Sequence, residues 1–111
     1  MLSSPVTDLF DTTFRIGEVL AAEAFPETNK PEMAKLRIDL GDEEVQSAAQ
    51  TGYNYDPEDL VGRQVLCATN LGTVSIAGYE SEVLTVGVPD EDDHPVLVGP
   101  DEDVPPGGEL Y

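Results

Sequence analysis

From residue 60 to residue 88 the chain reads LVGRQVLCATNLGTVSIAGYESEVLTVGV, and only Arg63, Glu80 and Glu82 within it are charged. The whole chain carries 23 acidic residues against five basic ones, so all but two of the acids flank this stretch. Apolar and β-branched residues gather at 65–69 and again at 83–88, and glycines at 72 and 78 punctuate the interval between them. That pattern reads as two buried strands joined by a turn-rich connection. The stretch is therefore expected to be the core of a small β-barrel, with the acidic flanks as its solvated surface.

A chain of 111 residues makes one domain, 1–111, large enough to bury a core and too small for a separate catalytic lobe. No apolar run approaches the roughly 18 residues needed to span a bilayer, and MLSSPVTDLF lacks the basic start and apolar middle of a secretion signal. A cytoplasmic location without membrane insertion follows as the expectation. Cys67 is the single cysteine and lies among Val65, Leu66 and Ala68, as a small core side chain would. The net charge of -18 makes a compact domain repel itself in dilute salt. At about 1 M salt the screening length shrinks to about 3 Å, which points to a salt-rich cytosol. Acids interspersed with apolar residues, not gathered in one block, argue against a disordered acidic tail or a mimic of DNA.

Residues 5–13 suggest a helical turn or two, with Leu9 and Phe10 facing inward, as a lid on the barrel. Residues 14–25, FRIGEVLAAEAF, read as a first strand interrupted at Gly17, where a bend lets one strand serve both sides of a barrel. The loop 26–31 is built of turn formers, and Pro31 biases Lys30 toward extended geometry. Residues 35–40 alternate strictly, sending Leu36, Ile38 and Leu40 to one face and Lys35, Arg37 and Asp39 to the other. Gly41 and Asp42 turn the chain into a third strand, 45–51, whose small Ser47, Ala48 and Ala49 admit close approach by another backbone or a ligand. Asp56 as N-cap, Pro57 at the first helical position and Gly62 as terminator mark one helical turn that plugs an end of the barrel. Beyond the core strands come a solvated turn at 89–95, a short strand at 96–98, and an extended tail anchored by Val104, Leu110 and Tyr111. The fold class is all-β: a five-stranded oligonucleotide/oligosaccharide-binding (OB) barrel, with a short helix between strands 3 and 4 and an N-terminal helical turn.

No phosphate loop ending in Lys-Ser or Lys-Thr and no Gly-x-Ser-x-Gly elbow occurs. The one histidine, His94, sits in a proline-flanked acidic turn with no nucleophile near it, so no catalytic residues and no enzyme activity are expected. Residues 90–94 lack the glycine and distal glutamate of a calcium loop, so neither a metal nor another cofactor is expected. The basic residues say more. Lys30, Lys35 and Arg37 lie within eight positions, either paired with neighbours such as Glu27 or Glu32, or forming a patch that positions phosphates. So few cations give RNA binding a shallow salt slope, and recognition must then use shape and hydrogen bonds. Asn70, Ser81 and Leu84, with Tyr79 for stacking, are the candidates for that contact.

Arg15-Ile16-Gly17-x-Val19, Ala22-Glu23, Phe25-Pro26, Lys30-Pro31, Lys35-Leu36, Ile38-Asp39 and Gly41 resemble the opening of the tRNA-binding domain family. The likeness continues through Ser47-Ala48-Ala49-Gln50, Tyr55-x-Pro57-Glu58-x-Leu60-Val61-Gly62, Asn70-Leu71, Ile76-Ala77-Gly78 and Ser81-Glu82-Val83-Leu84, and so covers nearly the whole chain. Within that family, Lys30-Pro31, Ser81-Glu82-Val83-Leu84, Pro89-Asp90-Glu91-Asp92 and Val104-Pro105 are most similar to the CsaA-type, export-related chaperones. The resemblance implies an OB-fold homodimer, with chain ends at the interface, that binds tRNA-like RNA or, in the CsaA branch, unfolded preprotein segments. It also places Lys35, Asn70, Ser81 and Leu84 where the family contacts RNA. Three positions depart from the family pattern: Val74-Ser75 where a basic residue is common, Leu71 where an aromatic is common, and Thr51 in place of an aliphatic residue.

Two functions follow as expectations. One is a non-catalytic chaperone that binds unfolded or precursor polypeptides in an apolar groove, at peptide-binding residues that the sequence does not identify. The other is a free-standing tRNA-binding protein acting in trans through Lys30, Lys35, Arg37, Asn70, Ser81 and Leu84.

Overall fold

The computed structural model describes residues 11–110. The lid expected over residues 5–13 falls outside them except for 11–13, which are not helical, and Tyr111 falls outside as well. In chain order the elements are β1 (Phe14–Ala24), β2 (Ala34–Asp39), β3 (Glu44–Ala49), α1 (Pro57–Leu60), β4 (Gln64–Ala68), β5 (Val74–Ile76), β6 (Tyr79–Ser81), β7 (Leu84–Thr85), β8 (Gly87–Pro89) and β9 (Pro95–Leu97). Five of them form one antiparallel sheet in the order β3-β2-β1-β4-β7, which curls into a nearly closed barrel. Among the described residues no helix is long and apolar enough to cross a membrane.

β1 is the shared strand. Its first half pairs with β4 and its second with β2, so that Glu18 faces both Gln64 and Asp39. The turn comes from a register shift between Val19 and Ala21, a bulge that bends and twists the strand. Gly17, where the sequence suggested the bend, lies buried just before it, and a Cβ there would run into Cγ2 of Ile38. Its absence of a side chain lets β1 lie close against the core. The alternating residues of β2 fill that core: Leu36 and Ile38 are fully buried and Leu40 nearly so, with Val19, Val65 and Cys67 beside them. Leu60 of α1 closes one end. Each such aliphatic side chain contributes about 1.5–3 kcal/mol when fully buried. Burial pushes the Cys67 thiol up to about 12, as a core side chain requires.

The barrel closes through side chains more than through a ladder. Glu82 N–H donates to Gln46 O at 2.8 Å while Gln46 N–H donates to Glu82 Oε1 at 2.9 Å. Ala48 N–H donates to Ser81 Oγ at 3.0 Å, and Thr85 Oγ1 bonds Ser47 Oγ at 2.8 Å inside. Three differences from the sequence reading bear on the site. The turn-rich interval contains a β5–β6 hairpin around Ala77 and Gly78, both at positive φ. The strand expected over 83–88 is split, because β7 stays with β4 while Gly87 begins β8 and pairs with Leu97. Asp56 precedes α1 in extended geometry without a side-chain capping bond, and Asp59 N–H to Asp56 O at 3.0 Å closes the turn instead.

The tail returns along β1: Ile16 N–H donates to Gly108 O at 2.9 Å, and Leu110 N–H to Phe14 O at 3.1 Å. Val104 is anchored by its main chain, which the Gln64 amide both donates to and accepts from, while its side chain stays partly exposed. Arg15 ties the tail to the β2–β3 turn, donating through Nε to Gly107 O at 2.9 Å and through Nη2 to Leu40 O at 3.0 Å. Its further bond to Asp42 holds that carboxyl below the usual carboxylate range.

Candidate functional site

An open groove of about 640 Å³ runs between the end of β3, the β5–β6 hairpin and the β7–β8 segment. Buried Met33, Val83 and Leu97 contribute to its floor, and the small Ala48 and Ala49 lie along it. Leu71, Val74, Leu84 and Val88 line it while remaining 56%, 58%, 54% and 52% exposed. Four large apolar side chains left to water on one surface form the kind of patch that interaction sites present. Most polar groups along it are engaged within the fold: Ser81 and Thr85 in barrel closure, and Gln50 Nε2 to Pro31 O at 3.0 Å. Thr51 Oγ1 is buried and has no hydrogen-bond partner among the described residues.

The same hairpin presents Tyr79 to a second cleft of about 320 Å³, which Lys35, Arg37, Gln46, Glu23, Ala21 and Ala22 complete. Strand register decides the ion pairs here. Glu23 on β1 lies directly opposite Lys35, with Oε1 3.6 Å from Nζ, and Arg37 Nη2 meets Glu44 Oε2 at 3.1 Å. The pairing suggested for Glu27 or Glu32 thus goes to cross-strand neighbours. The Lys35 ammonium also lies 4.9 Å from the Phe25 ring centre and 5.4 Å from that of Tyr79. Tyr79 packs edge-on against Phe25 and donates its hydroxyl to Leu36 O at 3.0 Å, and burial pushes its pKa up.

The six residues proposed for RNA contact therefore fall in three places. Lys30, Ser81 and Leu84 share the groove, and Lys35 and Arg37 share the cleft. Asn70 lines neither: its Oδ1 accepts from Thr13 N–H at 2.7 Å and its Nδ2 donates to Asp11 O at 2.8 Å, which pins the segment before β1. Sequence reasoning missed Met33, Val74 and Val88 as groove residues and Gln46 in the cleft. The signal available for Val74 and Val88 was apolar side chains next to glycine-marked turns, where a strand's second face stays uncovered.

In the β8–β9 turn, Asp90 Oδ1 accepts from the N–H groups of Asp92 (2.8 Å) and His94 (3.0 Å), and Oδ2 accepts from Asn54 Nδ2 at 3.0 Å. The Asn54 bond, with the two backbone ones, holds the Asp90 carboxyl below its ordinary range. His94 stacks on Tyr53 with ring centres 3.8 Å apart. Asp90, Asp92 and His94 bring one potential ligand atom each within 4.8 Å of one another, and both Asp90 oxygens also accept the hydrogen bonds that shape the turn.

The family model described as "Putative tRNA binding domain" matches residues 14–109. The methionine–tRNA ligase of Methanococcoides burtonii is 35% identical over 101 residues, 90% of this chain. The chain spans only 14% of that ligase's length. Three solved structures match over essentially their full lengths, among them a MetRS-related protein of Pyrococcus horikoshii, 25% identical with a TM-score of 0.82 over 100% of both chains. The chaperone CsaA of Bacillus anthracis is 36% identical, with a TM-score of 0.81 over 99% of this chain and 100% of that one. The CsaA chaperone protein of Picrophilus torridus is 29% identical, with a TM-score of 0.84 over 100% of both chains.

Proposed function

The chain belongs to the tRNA binding domain family, and from that membership we propose that it is a non-catalytic, CsaA-type chaperone that holds unfolded or precursor polypeptide segments during protein export. The observation that carries this reading is the apolar groove, whose walls Leu71, Val74, Leu84 and Val88 stay exposed. An extended polypeptide sets alternate side chains into such a groove. The net charge of -18 favours basic clients and repels a polyanion. Likeness to two CsaA chaperones along the whole chain supports the same reading. The protein works in a salt-rich cytoplasm as a homodimer. An apolar slot of about 650 Å³ between β1, β4 and the tail, lined by Ile16, Leu66, Val98 and Leu110, suits the dimer face.

The test is suppression of aggregation of a chemically denatured client in high salt at stoichiometric amounts. The wild type protects, and Val74→Asp with Leu84→Asp, both at exposed positions, abolishes protection without unfolding the barrel. Absence of protection by the wild type across basic and acidic clients removes the reading.

A second reading, a tRNA-binding module acting in trans, is favoured by the family model and by Lys30, which among the described residues has no ion pair. It predicts that Lys35→Ala with Arg37→Ala weakens tRNA retention. With three cations at most, log affinity falls against log salt with a slope no steeper than about -3.

A further inference from the structure

We infer that the outer edge of β5 takes up an extended segment of a bound polypeptide as an added strand, whose apolar side chains enter the groove while basic ones alternate with them on the opposite face. The inference rests on the peptide-binding reading above and adds how the main chain is held.

The hairpin turn fixes which main-chain groups are free. Ala77 and Gly78 both have positive φ, 47° and 82°, as in the two-residue turn that closes on a hydrogen-bonded pair, here Ile76 and Tyr79. Hydrogen-bonded and open pairs alternate along an antiparallel ladder, so Val74 and Ser81 bond each other while Ser75 and Glu80 turn their N–H and C=O groups outward. On the β6 side the outward groups are used: Glu80 O accepts from Gln46 Nε2 at 3.0 Å, and Glu82 N–H donates to Gln46 O at 2.8 Å. On the β5 side no group among the described residues bonds the N–H or C=O of Ser75.

The other small sheet shows how such an edge is covered. In β9 the Leu97 N–H donates to the Tyr55 hydroxyl at 3.0 Å and Pro95 O accepts from Asn54 Nδ2 at 3.0 Å, while β8 carries Pro89, which has no N–H. β5 has none of these devices. Residues 71–78, LGTVSIAG, contain no charge and no proline, and 71–75 are exposed. An open edge of that kind is a template for pairing with another chain.

The position of the edge selects what it takes. Val74 and Ile76 line the groove, and Ser75 lies on the other face of the hairpin beside Glu80. A strand added along β5 therefore sets alternate side chains beside Val74 and Ile76, over the groove, and the intervening ones beside Ser75 and Glu80. The first set is apolar; the second, facing an exposed carboxylate on a chain of net charge -18, is basic. Main-chain bonds supply affinity whatever the side chains are, which suits a holder of varied polypeptides.

The experiment uses a fluorescent peptide of alternating valine and lysine and two derivatives, one N-methylated at every valine and one at every lysine, with binding to the full chain measured by anisotropy at one fixed salt concentration. A strand that pairs through one edge directs its N–H groups alternately to its partner and to solvent. One derivative is expected to lose at least about tenfold in affinity and the other to stay within about twofold of the parent. Ser75→Pro, which removes an N–H that the fold leaves unbonded, is expected to keep its melting temperature and lose about tenfold as well, while Ser75→Ala binds as the wild type does. Equal affinities for the two derivatives overturn the inference and leave the peptide reading in place; should Ser75→Pro not fold, the derivatives decide alone. Undiminished binding by a folded Ser75→Pro also overturns it, and if that variant loses self-association instead, the edge belongs to a second copy of the chain. A parent peptide that does not bind overturns both.

Discussion

Replacing Arg15 by methionine tests whether the tail is held by the guanidinium or by its own ladder with β1. Methionine keeps most of the aliphatic stem and removes every donor. The Arg15 side chain is 17% exposed and donates to two backbone carbonyls, Gly107 O at 2.9 Å and Leu40 O at 3.0 Å. A hydrogen bond from a charged donor contributes about 1.5–3 kcal/mol. Partial access of water to the freed carbonyls returns some of this, so the two together stand at about 3 kcal/mol. The remaining partners, Asp42 and Glu43 (Oε2 3.8 Å from Nη1), are 69% and 59% exposed and add little. At about 4 °C per kcal/mol for a domain near this size, the melting temperature falls by about 12 °C. Urea unfolding at fixed salt measures the free energy directly. Asp42→Asn is the control: its small effect vanishes as salt rises, whereas the Arg15→Met loss persists because carbonyls carry no net charge to screen. If Arg15→Met loses no more than Asp42→Asn, the clasp plays no part in holding the tail.

Gly17→Ala is expected to destabilise by about 1–3 kcal/mol through overpacking on Ile38 Cγ2, and in an Ile38→Ala background, which lacks that methyl, the same change should cost less in urea titrations; additive losses would contradict the contact. With its thiol raised to about 12 and no exposure, Cys67 should resist a disulfide reagent at pH 8 until urea unfolds the barrel, and prompt labelling of the native protein would refute its burial. Asp90 has a folded pKa below its ordinary 3.8, so its contribution is present above that value and is lost as pH falls through the folded pKa. Asp90→Asn should therefore flatten the fall in melting temperature below about pH 4, and an unchanged profile would show the turn to be indifferent to its charge. Self-repulsion at a net charge of -18 predicts a melting temperature that climbs between about 0.1 and 1 M potassium chloride, and a flat response would dismiss salt adaptation.

What the sequence disclosed follows the range of the interactions concerned. β2 was legible because one face is buried: Leu36, Ile38 and Leu40 alternate with Lys35, Arg37 and Asp39, and a one-residue slip would put every one of them on the wrong side. The double use of β1 was legible from its length, but the bulge between Val19 and Ala21 carries no residue signature. The β5–β6 strands have three residues each, too few for a period to show, and one turn position is Ala77 at a φ that normally announces glycine. The stretch from 60 to 88 was read as core because it lacks charge, yet Leu71, Val74, Leu84 and Val88 within it face the groove. Hydrophobicity reports that a side chain avoids water; whether its own fold or a ligand does the covering depends on how β3 meets the hairpin. The ion pairs were misread for a similar reason, since Glu23 meets Lys35 through strand register and not through nearness in the chain. An unsatisfied hydroxyl such as that of Thr51 is a missing contact, and sequence holds no record of that.

The way the five cations are distributed separates the two readings of function. Arg15 is taken up in the tail clasp and Arg63 lies over the Tyr55 ring at 5.0 Å. Lys35 and Arg37 face Glu23 and Glu44, carboxylates 70% and 53% exposed, so each pair is worth no more than about 1 kcal/mol and less as salt rises. A phosphate could displace either carboxylate easily, but for the same reason it would gain little from the cation it reached. Affinity in high salt must then come from apolar burial, at about 25 cal/mol for each Å² removed from water, and this contribution is not screened. The affinity of an uncharged apolar peptide should hold or grow as salt rises, while tRNA affinity should fall. Titrating both ligands against potassium chloride with the same protein therefore gives slopes of opposite sign if the groove works by burial. Two falling slopes would mean that the cleft, and not the groove, does the binding.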